Sequence, residues 1–365
     1  MVIYYLKLFT NKYINDNIIY DGNDTERRFF MNIKDIAKIA GVSVSTVSRV
    51  LNNSEEVSEK TKENIIEIMK ENNYVPNNSA RNLKRITSNA IGVLVDSGYN
   101  PFFYEFINII NSRVSEAGFS MIIQFMDGRR NDMFTAKEFI KEKRLSGLIC
   151  MGLDFKNVDK NLFIGIEVPI VAISSSIPED ILECLSSINI NDFDSAYKAV
   201  KVLIDAGHRK IGIIGSNNEN DVCGITRFSA YKRAQKDSGI RVKKGFMEFG
   251  NYTFGTGYEA MKRLLLKKEI PTAVFVISDI MAVGAARACK ELGYIVPDDI
   301  SIIGFDGIDY GKYYVPAITT IRQPFEYMAR ESVSLIIELI KERTKNRHIT
   351  FETEILERES VKILK

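Results

Sequence analysis

The chain has 365 residues, of which 45% are hydrophobic and 26% charged, and its formal net charge at pH 7 is +2. This length is too great for one small domain, and the composition is that of an ordinary globular protein with two or three folded units. Because the charge is nearly balanced, nucleic-acid binding must be argued from a local segment rather than from the whole chain. With two histidines, His208 and His348, the chain has almost no material for a histidine-based metal or catalytic site.

The cysteines and the N-terminal segment indicate a cytoplasmic protein. The first apolar run, residues 2–6, is interrupted by Lys7, and no small-residue cleavage site follows it, so we do not predict an export signal. No apolar run approaches the ~18 residues of a membrane span, and we expect no membrane partner. The cysteines lie far apart without C-x-x-C pairing, as is typical of thiols in a reducing compartment: Cys150, Cys184, Cys223 and Cys289.

Residues 1–30 form a segment of their own, with a weak apolar pattern followed by a polar cluster. A second methionine, Met31, directly precedes the first helical pattern. We expect Met31 to be the natural start and residues 1–30 to be an over-extended reading frame. A genuine N-terminal arm is the alternative.

Two short helical patterns meet at Gly41 within residues 32–52. Asn32 with Asp35 can cap the first helix, and Ser43 can cap the second. The apolar side chains of the second helix should face inward: Val47, Val50 and Leu51. Its outward-facing side chains are mostly small and polar, with one arginine: Val44, Ser45, Thr46, Ser48, Arg49 and Asn52. This pattern is typical of a helix-turn-helix whose second helix enters a DNA major groove, with a merely structural helical hairpin as the alternative.

A third helix and a polar linker follow. Ser58 can cap the third helix, and residues 77–83 form a mainly polar segment too short for a stable helix in water. The predicted core of the three-helix unit is small: Ile36, Ile39, Val47, Val50, Leu51, Ile65, Ile66 and Met69.

These segments resemble the DNA-binding headpiece and hinge of the lactose-repressor family of bacterial transcription regulators. The resemblance is carried by three stretches: IKDIAKIAGVSVSTVSRVLN, VSEKTKENI and NYVPNNSARNL. It implies that Val44, Ser45 and Arg49 read bases. It also implies contacts near backbone phosphates, made by Ser43, Thr46, Ser48 and Asn52. In the hinge the implied DNA-binding residues are Asn77, Arg81 and Leu83, with Leu83 as an apolar wedge in the minor groove; packing of Leu83 on the next domain is the alternative.

From Ala90 onward, strand and helix patterns alternate up to a long helix that starts near Pro324, which predicts parallel α/β sheets. This region resembles the effector-binding core of the same family, which is similar to periplasmic sugar-binding proteins. The strongest segments are PTAVFVISDIMAVGA, VPDDISIIGFD, PAITTIRQP and ILERESV. The expected fold is thus a small all-α helix-turn-helix headpiece with a hinge, followed by a two-lobed α/β periplasmic-binding-protein-like core with parallel sheets.

The resemblance also implies domain boundaries. They are residues 31–76 for the helix-turn-helix domain, 77–88 for the hinge and 89–365 for the effector-binding and dimerisation core. We expect lobe 1 to contain residues 89–188 and 297–324, and lobe 2 to contain 189–296 and 325–365. The three chain crossings between the lobes would then lie near Ile188, Val296 and Pro324.

Candidate effector-binding residues come from the same resemblance. Asp279 follows a strand, where open α/β sheets bind ligands, although helix capping alone would explain a carboxylate there. Arg227 matches a pocket arginine of the family, although Ser229 and Ala230 depart from its usual motif. Aromatic positions of the cleft are matched by Phe102, Phe103 and Tyr252, for which ordinary core packing is the alternative.

We therefore expect a homodimeric, sequence-specific transcriptional regulator, a repressor controlled by a small metabolite bound between the lobes. Its partners would be near-palindromic double-stranded operator DNA and the effector, and we expect no cofactor or metal. A sugar or sugar phosphate is the first choice of effector and a purine the second. No P-loop, dinucleotide fingerprint, nucleophile elbow or zinc-protease motif is present, which argues against an enzyme. A solute-binding protein is the rival from another class, and it leaves residues 31–83 unexplained.

Overall fold

The computed structural model describes these residues: 32–51, 54, 56–72, 74, 89–96, 100–126, 132–156, 158–216 and 221–364. They fall into two compact units, one before and one after the boundary between Lys84 and Arg85. Within these ranges, no helix is both long enough and apolar enough to cross a membrane.

In its described part, the first unit consists of helices α1 (Ile33–Ile39), α2 (Val44–Leu51) and α3 (Glu59–Glu71). The side chain of Asn32 accepts a hydrogen bond from the backbone N–H of Lys34 at 2.9 Å, and Asp35 accepts one from the backbone N–H of Asn32 at 2.9 Å. Ser58 caps α3 by accepting the backbone N–H of Thr61 at 3.3 Å. Side chains therefore satisfy N–H groups that the helix ends leave without partners.

The core of this unit is narrower than predicted. Its buried residues are Ile36, Ala37, Val47, Val50, Val57, Ile65 and Met69. The predicted core residues Ile39 and Ile66 are instead 52% and 45% exposed. Ile66 follows Ile65 on the same helix and is rotated about 100° away from it, and Ile39 is the last residue of α1. Each short helix thus buries only one stripe of side chains.

The second unit contains two six-stranded sheets. The strands of the first sheet are β1 (Ala90–Val95), β2 (Ser120–Phe125), β3 (Gly147–Met151), β4 (Ile170–Ile173), β5 (Ser186–Ile190) and β11 (His348–Phe351). This sheet is parallel, with strand order β11-β5-β4-β3-β1-β2. Helices α4 (Phe102–Glu116), α5 (Asp132–Lys143) and α11 (Phe325–Glu342) accompany it. All residues of β1 and β3 are buried, as is typical of parallel strands covered by helices on both faces.

The strands of the second sheet are β6 (Ile211–Ser216), β7 (Met247–Gly250), β8 (Ala273–Val276), β9 (Ser301–Asp306), β10 (Thr319–Arg322) and β12 (Glu354–Leu356). Their order is β12-β10-β9-β8-β6-β7, and the sheet is parallel except for β12. Its helices are α6 (Asp192–Asp205), α7 (Val222–Asp237), α8 (Phe254–Leu265), α9 (Asp279–Glu291) and α10 (Asp309–Tyr313).

The chain passes from one sheet to the other between β5 and α6, between β10 and α11, and between β11 and β12. The expected placement of residues 297–324 in lobe 1 and 325–365 in lobe 2 is therefore wrong for most of both segments, and no crossing lies near Val296. Strands β9 and β10 continue the second sheet beyond β8, whereas α11 packs against β3, β4 and β5 of the first. A repeating strand–helix pattern predicts the elements but not the sheet that each strand joins.

Candidate functional site

Helix α2 presents an accessible, mostly polar outer face. Its N-terminus is capped by Ser43, whose Oγ accepts the backbone N–H of Thr46 at 3.1 Å. The valines predicted to face inward are buried: Val47 and Val50. Val44 is 40% exposed, and Ser45 and Arg49 are exposed as well. The side chains expected to read bases therefore lie on the solvent side of this unit.

Arg49 is held by a carboxylate that we did not predict. Its Nε lies 3.1 Å from Oε2 of Glu56, in the segment between α2 and α3. The two side chains are 55% and 70% exposed, so the pair contributes only about 0–1 kcal/mol to stability. An arginine guanidinium can donate two hydrogen bonds to guanine O6 and N7.

The remaining predicted DNA-binding residues lie outside the described residues: Asn52, Asn77, Arg81 and Leu83. Their roles stay predictions.

The second unit contains a cleft of about 940 Å³, a volume that includes open solvent. Many of the residues that line it come at or just after the carboxyl ends of strands from both sheets: Asp96, Ser174, Asp192, Asp306 and Gln323. This is where open parallel α/β sheets bind ligands. The predicted residues Phe102, Phe103, Arg227 and Tyr252 also line the cleft. Asp279 does not.

Arg227, on α7, is the charged centre of the cleft. Its Nε donates to Oδ1 of Asp192 at 2.8 Å, and its Nη1 donates to the carbonyl of Ile277 at 2.7 Å. The guanidinium carbon lies 3.7 Å from the centre of the Phe305 ring, and Nη1 lies 3.8 Å from Oδ1 of Asp306. Burial works against the charge, but the Asp192 and Asp306 carboxylates outweigh it and raise the pKa of Arg227 above its ordinary value. The guanidinium is therefore fixed in place and always charged.

Asp306 and Gln323 each bring a buried oxygen without a partner to the cleft. Gln323 donates its Nε2 to Oδ1 of Asp306 at 2.9 Å, whereas Oδ2 of Asp306 and Oε1 of Gln323 accept no hydrogen bond from the described residues. The two residues are 2% and 1% exposed. Burial raises the pKa of Asp306 to about 7, against the opposing effects of Arg227 and Gln323. Ser174, which also lines the cleft, has a buried hydroxyl oxygen without a partner among the described residues. Buried polar atoms normally have partners, so three such oxygens on residues that line one cleft indicate a polar ligand that donates hydrogen bonds.

The prediction that Asp279 contacts an effector is wrong, because Asp279 does not line the cleft. Asp279 is completely buried and accepts three hydrogen bonds from protein groups. The donors are the backbone N–H of Gly307 at 2.8 Å, that of Ile308 at 3.0 Å, and the hydroxyl of Thr320 at 2.6 Å. The carboxyl of Asp279 therefore faces the turn after β9 and strand β10 rather than the cleft. Asp306 occupies the position that we had assigned to Asp279.

Tyr252, which lines the cleft, is hydrogen-bonded to a second carboxylate, that of Asp221. Its hydroxyl donates to Oδ2 of Asp221 at 2.6 Å, and Oδ1 of Asp221 caps α7 by accepting the backbone N–H of Gly224 at 2.8 Å. Burial, followed by the charge of Asp221, raises the pKa of Tyr252 well above its ordinary value. The hydroxyl is therefore a permanent donor, and the ring is held at the cleft.

Phe102 and Phe103 form the aromatic side of the cleft. Their ring centres are 5.4 Å apart, and both residues also belong to the core, with 3% and 9% exposure. Gly152, with φ +70°, lies against Phe103, and a Cβ at this glycine would come within 2.6 Å of Phe103 Cζ. The absence of a side chain at residue 152 therefore keeps the Phe103 ring in place.

The polar residues that sequence reasoning missed share one sequence signal: each is the last residue of a mostly buried strand or follows such a strand within a few residues. They are Asp192, Asp221, Asp306 and Gln323. The rule that we applied to Asp279 would have selected them too. Among the described residues, no group of three or more His, Cys, Asp or Glu side chains is arranged to hold a metal ion.

A helix-turn-helix unit and a two-sheet core with a ligand cleft together define a ligand-responsive DNA-binding regulator. Residues 32–77 match the family described as bacterial regulatory proteins of the lacI family. Residues 200–361 match a periplasmic binding protein-like domain.

Relatives and solved structures agree with these matches. The chain is 44% identical to the HTH-type transcriptional regulator MalR of Clostridium butyricum, over 90% of this chain and 99% of MalR. It is 34% identical to the HTH-type transcriptional repressor PurR of Haemophilus influenzae, over 90% of this chain and 98% of PurR. A Lac repressor dimer bound to operator and the anti-inducer ONPF is similar with a TM-score of 0.75 and 27% identity, over 91% and 99% of the two chains. A complex of the transcriptional regulator CelR with cellobiose has a TM-score of 0.67 and 27% identity, over 90% and 99%.

The chain belongs to the lacI family of bacterial regulatory proteins. It is a DNA-binding transcriptional regulator and not an enzyme. The predicted family and the predicted fold class, a helix-turn-helix headpiece followed by a two-lobed α/β core, are confirmed.

Proposed function

We propose that the protein is a repressor whose cleft binds an uncharged sugar, and that occupancy of the cleft controls the binding of operator DNA by α2. The observation that carries the choice of ligand is that three lining residues, Ser174, Asp306 and Gln323, each have a buried oxygen without a hydrogen-bond partner among the described residues. Sugar hydroxyls donate hydrogen bonds to such acceptors, and the rings of Phe102 and Phe103 suit the C–H face of a pyranose. The similar CelR structure was solved with cellobiose, which supports a ligand of this class.

The charge of the cleft argues against a sugar phosphate. Among the described lining residues, Arg227 is the one cation, and its Nε and Nη1 already bind Asp192 and Ile277. The carboxylates of the cleft outnumber it: Asp96, Asp154, Asp192, Asp221 and Asp306. A phosphate group would replace favourable hydration by repulsion from several carboxylates at short range.

For the DNA interface, we propose that Val44, Ser45 and Arg49 read each half-site while neighbouring polar side chains contact phosphates. The contacts to phosphates are assigned to Ser43, Thr46, Ser48 and Asn52, and those of the hinge to Asn77, Arg81 and Leu83. The exposure of Val44, Ser45 and Arg49 supports this assignment. The similar Lac repressor is a dimer on its operator, and we propose a cytoplasmic homodimer on a near-palindromic operator, with domains at residues 31–76, 77–88 and 89–365.

A thermal-shift panel tests the ligand class. Glucose, maltose, cellobiose, glucose 6-phosphate and hypoxanthine are each added to the full chain, and a bound ligand raises Tm by mass action. We expect a neutral sugar to raise Tm and glucose 6-phosphate to leave it unchanged. The variant Asp306→Ala should lose the shift. A shift with hypoxanthine alone would instead identify a purine-responsive regulator.

A gel-shift assay tests the regulatory output. The probe is the DNA upstream of the protein's own gene, and the sugar that raises Tm is titrated into the complex. We expect specific binding at moderate salt and a change in affinity when the sugar is added. Absence of binding with and without each sugar of the panel would count against a regulator of this DNA.

A further inference from the structure

Asp279 lies beneath the cleft rather than in it, and its hydrogen bonds all go to the structure that carries Asp306. It is the first residue of α9. Its Oδ2 accepts the backbone N–H groups of Gly307 and Ile308 at 2.8 and 3.0 Å. Its Oδ1 accepts the hydroxyl of Thr320 on the neighbouring strand β10 at 2.6 Å. The carboxylate thus joins the start of α9, the turn after β9 and β10.

The turn after β9 needs such support. Asp306 has φ +115°, a conformation that residues with side chains rarely adopt, and Gly307 follows with φ +82°. Strained backbone of this kind persists only where the surroundings fix it. Two hydrogen bonds from consecutive N–H groups to one buried carboxylate provide that constraint.

The conformation of this turn also determines the direction of the Asp306 side chain. Oδ1 of Asp306 accepts a hydrogen bond from Gln323 at 2.9 Å. Oδ2 is buried and has no hydrogen-bond partner among the described residues, and Asp306 is one of the residues that line the cleft. A rotation of the backbone at this residue would move Oδ2 away from the ligand position. A displacement of about 1 Å is enough to lose a hydrogen bond to a bound ligand.

We propose that Asp279 is a positioning residue of the effector site: by clamping the turn at residues 306–308 it directs the Asp306 carboxyl to the ligand. This inference rests on the proposed function for the identity of the site. Asp279 touches no ligand itself, so its effect on affinity is transmitted through the turn.

Three variants separate the clamp from other effects. Asp279→Ala removes all three acceptor contacts. In Asp279→Asn the amide oxygen can accept both N–H groups, and the amide nitrogen can donate to Thr320, whose hydroxyl then turns to the carbonyl of Ile321, now at 3.3 Å. The third variant, Asp299→Ala, is the matched control. It removes a carboxylate that accepts the backbone N–H of Ile295 at 2.7 Å in a loop before β9, away from the cleft.

The experiment combines two measurements on the full chain. Hydrogen–deuterium exchange of the peptide that covers residues 303–310 reports on the turn without any ligand, and titration calorimetry with maltose and cellobiose reports on affinity. We expect Asp279→Ala to speed exchange in this peptide and to weaken sugar binding by about 10- to 100-fold, which is the range for leaving a buried hydrogen-bonding group unpaired. Asp279→Asn should restore both values to within about threefold, and Asp299→Ala should change neither. Unchanged operator binding and a single cooperative unfolding transition verify that each variant is folded.

Wild-type exchange or wild-type sugar affinity in a folded Asp279→Ala variant would overturn the proposal. Equal loss of sugar affinity in the Asn and Ala variants, with normal exchange in both, would also overturn it, because charge rather than the clamp would then be responsible. If the wild-type protein binds neither sugar, the proposed ligand class fails separately. Exchange in the turn then decides whether the clamp exists.

Discussion

Arg49 on α2 and Glu56 in the following segment lie 3.1 Å apart, from Nε to Oε2. The carboxylate contacts the guanidinium at Nε. A pair of this geometry restricts the rotation of a long side chain before DNA is bound, which lowers the entropy lost when it meets a base.

The first prediction concerns this pair. Arg49→Ala should cost about 1–3 kcal/mol of binding free energy at the operator and relax discrimination at one base position. Glu56→Ala should reduce the same discrimination less strongly. Gel shifts on operators with single base changes measure both effects. The control is Arg113→Ala, which removes an exposed arginine paired with Glu116 at 3.0 Å in the other unit. Uniform weakening on all sequences would make Arg49 a phosphate contact.

The second prediction concerns the buried charge at the cleft. Arg227→Ala should destabilise the core by about 3–5 kcal/mol, because Asp192 and Asp306 would be left buried without their cation. It should also abolish the response to sugar. Urea unfolding measures the first effect and the thermal-shift panel the second. Arg233→Ala is the control on the same helix, where an exposed arginine pairs with Asp237; it should leave stability unchanged.

The third prediction is a dependence of stability on pH. Burial raises the pKa of Asp306 to about 7, far above the ordinary value of about 3.9 that holds in the unfolded chain. Between these two values the folded protein keeps a proton that the unfolded chain has released, so the free energy of unfolding falls as the pH rises toward 7. Asp306→Asn should remove this part of the decline.

Urea unfolding at pH 5 and pH 8 measures the decline in wild type and variant. The comparison between the two proteins is needed because burial lowers the pKa of His208. This shift makes the free energy of unfolding rise with pH, and it is the same in both proteins. Burial, followed by the charge of Asp306, raises the pKa of Asp279 to about 8, so Asp306→Asn should also reduce the part of the decline that comes from Asp279. Equal slopes in both proteins would refute the assignment to Asp306.

The fourth prediction uses two glycines with similar backbone conformations. Gly152 has φ +70° and lies against Phe103, whereas Gly165 has φ +80° and open space around its Cα. Alanine at either residue should lose about 1 kcal/mol or somewhat more of stability to backbone strain. Only Gly152→Ala should also displace the Phe103 ring and weaken sugar binding. Equal affinities of the two variants for the sugar would show that this ring does not contact the ligand.

Local sequence patterns predict the helices and strands of this fold. The partners of the cleft residues depend on contacts between residues that are far apart in the chain. The caps at Asn32 and Ser58 are local signals and were predicted. The error at Asp279 has a physical cause: it and Asp306 both follow buried strands, and only the three-dimensional arrangement turns one toward the protein and the other toward the cleft. The partner of Arg227 was missed because Asp192 lies 35 residues earlier in the chain.

Helix α11 and strand β11 belong to the first sheet although they follow the second sheet in the chain. The ribosome therefore makes β1 to β5 early and must then synthesise more than a hundred residues before the helix that covers them emerges. During translation the apolar side chains of β3, β4 and β5 remain without this helix until residues 325–342 have been made. A chain truncated before residue 325 should consequently have a damaged first sheet, although all strands from β1 to β5 are present.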